Sequence, residues 1–121
     1  MTGLAFDRSV PVYDALQLME LADEAGEAAA KRFLNEYSQL LPHRQARILQ
    51  ELANGDAEAA TDAIISLRIT STMAGAARLS SYCRHLQDQV ELGNTYTEEV
   101  AADLRELVSA FVREVNGARR D

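Results

Sequence analysis

The sequence predicts an all-α protein, an antiparallel up-and-down four-helix bundle with a short additional helix at its N-terminus. Three observations lead there. Apolar residues recur at three- and four-residue intervals along most of the chain. Only two prolines occur, and no segment combines β-branched alternation with a hairpin turn. The clearest turns, "ANGD" (53–56) and "ELGN" (91–94), are short, and short turns between long amphipathic helices make antiparallel neighbours.

Asp14 can cap the first helix, which runs to about Ala25, with Gln17 spaced for a capping box and Leu16, Leu18, Met19 and Leu21 or Ala22 as its apolar side. The second spans about Glu27 to Ala53, with Ala30, Phe33, Leu34, Tyr37, Leu41, Ile48 and Leu52 on one face. Pro42 lies inside it and is expected to kink it, because proline removes a donor and crowds the turn before it. Asp56 caps a third helix that reaches about Ala74. The fourth covers Ala76 to Leu92, with Leu79, Tyr82, Cys83, Leu86 and Val90 inward. The fifth opens on the box Thr95-x-x-Glu98 and runs to Asn116, burying Val100, Leu104, Leu107, Val108, Phe111 and Val115, with Gly117 as its stop. One bundle over 10–117 is expected, with tails at 1–9 and 118–121.

Composition narrows the function classes. The 121 residues suit one domain, and 47% hydrophobic content supplies its core. A formal charge of −7 argues against sequence-independent nucleic-acid binding, which needs clustered Lys and Arg. No apolar run approaches the ~18 residues of a membrane span. The N-terminus carries acid early and no long apolar region, so no secretory signal is expected. The single Cys83 cannot form an internal disulfide, and a cytoplasmic setting is the expectation.

The third helix carries the anomaly. Ala60, Ile64, Leu67, Ser71 and Ala74 share one face, while Ile65 lies about 160° from Leu67 by helical geometry. Ile69 sits one turn above Ile65, with Arg68 beside them. Two isoleucines on the outward side of an acidic bundle form a patch, which a lone exposed apolar residue does not.

Residues 10 to 115 resemble a histidine-containing phosphotransfer (Hpt) domain, the four-helix carrier that relays phosphate between receiver domains in two-component signalling. The matching features run in order: "PVYD", "RFLNEYSQLLPHR", "LANGDAEAATDAI" and "SLRITSTMAGAARLSSYCRHLQ". Ile65 and the last stretch together stand where the family has H-x-L-K-G-S-x-x-x-x-G-A-x-x-L-x-x-x-C-x-x-L-E. Gly75, Ala76, Leu79, Cys83 and Leu86 are in register. The phosphorylated histidine falls on Ile65, the lysine on Arg68, and the glycine that lets a receiver approach falls on Ile69. Isoleucine has no nucleophile and cannot accept a phosphoryl group. The resemblance therefore implies a degenerate member with no catalytic residue.

Neither histidine is an obvious replacement. His85 has no role in the family match, and His43, though at the level of Ile65, points about 140° from inward Ile48 by helical steps. A di-iron bundle needs Glu-x-x-His pairs, but Leu40 and Tyr82 stand three residues before the histidines. There is no Gly-rich phosphate loop and no Cys-x-x-Cys, and no enzyme activity, metal or cofactor is expected.

Three covers for Ile65 and Ile69 are open: the chain's own N-terminus through Leu4 and Phe6, a homodimer seam, or a second protein. The family's use of this face to meet receivers favours the second protein. The expectation is a signalling module that binds a response-regulator receiver or another two-component protein through Ile65, Arg68, Ile69 and Thr72. The alternative is a self-associating structural bundle with no relay role.

Overall fold

The computed structural model describes residues 7–94 and 97–120, the last two by their backbone alone. All regular structure among them is helical: α1 (Leu16–Ala25), α2 (Glu27–Ala53), α3 (Ala57–Ala74), α4 (Ala77–Glu91) and α5 (Thr97–Arg120). α3 packs between α2 and α4, α5 closes the bundle against α2 and α4, and α1 lies across α2 and α3. Side-chain hydrogen bonds show the antiparallel register. Tyr37 pairs with Ser71 at 2.6 Å and Arg44 with Ser66 at 2.8 Å, so numbers rise along α2 as they fall along α3. Thr72 pairs with Ser80 at 2.6 Å across the α3–α4 corner, and the Tyr82 hydroxyl donates to Asp103 of α5 at 2.8 Å.

The core follows the predicted inward faces. Leu41 and Ile48 of α2, Ile64 and Leu67 of α3, Leu79, Tyr82, Cys83 and Leu86 of α4, and Leu104 and Phe111 of α5 are buried together. Phe111 receives Tyr37 and Tyr13 edge-on at ring-centroid distances of 5.4 and 5.8 Å, a geometry favoured by the aromatic quadrupole.

Some boundaries differ from expectation. The N-cap of α1 is Ala15, without a side-chain cap bond. The Asp14 carboxylate accepts from the Leu16 amide at 3.0 Å, but the Asp14 amide donates to the Gly75 carbonyl, so the expected capping box with Gln17 does not form. Pro42 sits inside a helix continuous from Glu27 to Ala53. α5 runs through Gly117 to Arg120, so Gly117 is not its stop and 118–120 continue the helix. Gly117 is not among the glycines at positive φ, the backbone that would have ended the helix there. The Thr95 end of the proposed capping box lies outside the described residues.

Gly75 organises the corner that ends α3. Its φ of +80° lets the chain reverse, and the amide of Ala76 returns to the Ser71 carbonyl at 2.8 Å. Here the N-terminal segment is fastened. The Asp14 amide donates to the Gly75 carbonyl at 2.7 Å and the Arg78 amide to the Pro11 carbonyl at 2.9 Å. Arg78 also donates from Nε to the Val10 carbonyl at 2.8 Å and from Nη2 to the Arg8 carbonyl at 2.6 Å. Arg8 in turn reaches Glu106 of α5 at 3.1 Å. The described end of the expected 1–9 tail is thus tied to the bundle, over the corner and towards α5.

Candidate docking site on the third helix

α3 is built from two sequence patterns on one cylinder. Ala60, Ile64, Leu67, Ser71 and Ala74 turn inward and are buried. Ile65, Ile69 and Met73 follow at four-residue intervals, each drifting about 40° around the helix, and form a strip on its outer side. Ile69 is 50% exposed and Met73 43%, whereas Ile65 is half-buried. The apolar strip therefore extends from Ile69 towards the Gly75 corner, through Met73, a residue the two-isoleucine reading left out. Leu40 of α2, 43% exposed, stands close to the level of Ile69 in the register set by the Tyr37–Ser71 and Arg44–Ser66 bonds.

The other two expected residues face the α4 side. Arg68 is half-buried, its Nε lacks a hydrogen-bond partner, and its charge acts on Cys83. Arg68 therefore lies at the α3–α4 seam, to one side of the strip. Thr72 is exposed, but its hydroxyl is engaged with the Arg68 carbonyl at 2.9 Å and with Ser80. It lines a polar cleft of about 300 Å³ with Asp14, Gln17, Ser80, Ser81 and Arg84. Leu4 and Phe6, the candidate N-terminal cover, lie outside the described residues.

A second cleft of about 300 Å³ opens between α2 and α3, lined by Leu40, His43, Arg44, Arg47, Ala63 and Ser66. His43 is exposed, as the helical steps indicate, and lines this cleft together with the residue after Ile65. The angle from Ile48 alone omitted the neighbouring helix, which supplies the other wall of the cleft. Arg44 is half-buried, donates from Nη1 to Ser66 at 2.8 Å, and keeps a buried Nε without a partner.

Cys83 is wholly buried among core residues, and burial pushes its thiol up to about 12, which leaves it a small apolar filler at neutral pH. Among the described residues no cluster of His, Cys, Asp and Glu could hold a metal ion, and no helix is long and apolar enough to cross a membrane.

No family model matches the sequence, and no curated protein matches it. Among solved structures, the crystal structure of histidine-containing phosphotransfer protein B (HptB) from Pseudomonas aeruginosa PAO1 is similar. The TM-score is 0.77, with 92% of this chain and 97% of that chain covered at 19% sequence identity. The fold is Hpt-like. At that identity the likeness carries the fold, and the roles of individual residues must come from the chain's own side chains. In this Hpt-like bundle, the outer side of α3 presents alkyl groups with a cationic cleft on its α2 side.

Proposed function

We propose that this Hpt-like bundle is a docking module of two-component signalling that binds a receiver domain or another two-component protein through the outer side of α3 without carrying phosphate there. The observation that carries the reading is the alkyl strip Ile65–Ile69–Met73, running through the position where the resemblance puts a phosphorylated histidine. The register behind that assignment has physical support. Leu67, Ala76, Leu79, Cys83 and Leu86 are all buried, and Gly75 stands where a side chain would collide with Asp14. An alkyl side chain offers no lone pair to a phosphoryl group, so an interaction on this strip works by binding alone. A cytoplasmic setting goes with this reading.

The test is a binding assay of the full chain against receiver domains from the same cell, with solution mass measured in parallel. A monomer that captures a receiver, and loses it about 10-fold or more on Ile69→Asp, supports docking; that factor corresponds to ~1.4 kcal/mol, less than burying one isoleucine side chain supplies. Incubation with a phosphorylated receiver should leave no acid-labile phosphate on the unmodified chain. An Ile65→His, Ile69→Gly double variant should label better than Ile65→His alone. A tight dimer that captures no receiver, or robust labelling of the unmodified chain, would overturn the proposal.

A further inference from the structure

The 19 acidic residues of this chain are unevenly spread. Residues 37–50 and residues 63–87 contain no Asp or Glu. The fold brings these segments side by side: the first lies on α2, the second covers most of α3 and α4, and the Tyr37–Ser71, Arg44–Ser66 and Thr72–Ser80 bonds set them in register. A protein of net charge −7 thus has facing stretches of α2, α3 and α4 that themselves carry no acid, bounded on α2 and α3 by Glu36 and Asp62, with Asp14 of the N-terminal segment at the Thr72 cleft. Within them, the α2–α3 cleft gathers His43, Arg44 and Arg47. None of the three forms a salt bridge among the described residues, and Arg44 keeps a buried Nε unsatisfied. Guanidinium groups match carboxylates in shape as well as charge.

We propose that the cleft lined by His43, Arg44, Arg47 and Ser66 is a carboxylate-recognition subsite, filled by acidic side chains of the protein that docks on Ile69 and Met73. The proposal rests on the docking reading above and adds the charge of the partner's surface. Charge complementarity argues for this occupant, because Arg44 and Arg47 are in no salt bridge among the described residues and would meet opposite charge there; a solution mass showing that a second copy covers the cleft would overturn it. This occupant also fits the chemistry of the cleft: Leu40 and Ala63 form an apolar wall, and the Arg44 guanidinium is already oriented by Ser66.

The probe is a short peptide rich in Asp and Glu with two central leucines, titrated into the isotope-labelled full chain at low salt. Amide shifts should concentrate at Arg44, Arg47, Ser66 and Ile69. Arg47→Glu, at an exposed side chain, and separately His43→Glu should each weaken the peptide about 10-fold or more, equivalent to ~1.4 kcal/mol. Raising the salt should weaken binding to the original chain and narrow that gap, since exposed charges are screened. Arg105→Glu on α5 should change little.

Failure of the peptide to shift these amides would overturn the subsite. So would equal loss from Arg47→Glu and Arg105→Glu, or tighter binding of inorganic phosphate or a single-stranded oligonucleotide than of the peptide. A receiver that depends on Ile69 but tolerates Arg47→Glu would leave docking standing and remove the carboxylate subsite. Peptide binding without any receiver capture would do the reverse.

Discussion

Replacing Gly75 with alanine tests how the α3 face is held. The residue has φ +80°, and an added Cβ would lie 2.1 Å from the Asp14 carbonyl oxygen and 3.1 Å from its carbonyl carbon. The left-handed backbone alone costs a side chain about 1–2 kcal/mol. The steric conflict is with backbone, so Asp14 must move, which endangers its 2.7 Å bond to the Gly75 carbonyl; a hydrogen bond contributes about 0.5–1.5 kcal/mol net. Forcing atoms into a packed site adds roughly 1–3 kcal/mol. A loss of about 3 kcal/mol or more is expected, a large share of the 5–15 kcal/mol typical of a domain.

Gly93 supplies the control, having φ +73° with no heavy atom within 4 Å of an added Cβ. Gly93→Ala should therefore cost only the backbone part, about 1–2 kcal/mol. Urea unfolding of the three proteins at one pH, with unchanged m-values, measures the difference. Amide exchange should also quicken at Leu16 and Arg78, whose amides depend on the Asp14 and Pro11 segment. Equal losses at Gly75 and Gly93 would show that the Asp14 approach is not a constraint, and the account of this corner would be wrong.

Two further outcomes follow from the α3 faces and the α4–α5 contact. Leu67→Ala, at a wholly buried site, should cost roughly 2–5 kcal/mol. Ile65→Ser, at a half-buried one, should cost about 0.5–2 kcal/mol, and urea unfolding showing a loss as large as at Leu67 would mean that Ile65 belongs to the core. The Asp103 carboxyl is held above its ordinary 3.8, first by loss of solvent and then by Glu106 and Glu99, with the Tyr82 hydroxyl and Arg8 opposing. A raised folded value makes the native state bind the proton more tightly than the unfolded chain, so its stabilisation is complete below 3.8 and is lost as pH rises through the folded value. Asp103→Asn should flatten that decline, measured as unfolding free energy from pH 3 upward, and a steeper decline in the variant would contradict the assignment.

The helices and their inward faces were legible because burial and periodicity are local properties of a helix. Ile64, Leu67, Leu79 and Leu86 could be read as core from spacing, and Asp56 as a cap, which it is through the Ala59 amide at 3.0 Å. Gly117 misled because a glycine ends a helix only where the chain adopts left-handed backbone, and residue type alone does not establish that. The outer side of α3 was half legible. Ile69 could be read from its angle, and Met73 was available one turn further on, but the half-burial of Ile65 and Arg68 depends on neighbours that a helical wheel omits.

The α2–α3 cleft was hidden for a different reason: its groups come from two helices, and each helix alone suggests only a solvated face. Its sequence signal was negative, the absence of Asp and Glu from residues 37–50 and 63–87. Net charge averages that signal away. An acidic total argued against polyanion binding, yet the charge a partner meets is the charge of the face it touches, since screening limits the rest to about 8 Å at physiological salt. With no acid in residues 37–50 and 63–87, the −7 total does not describe the charge that a partner on the α2–α3 cleft would meet.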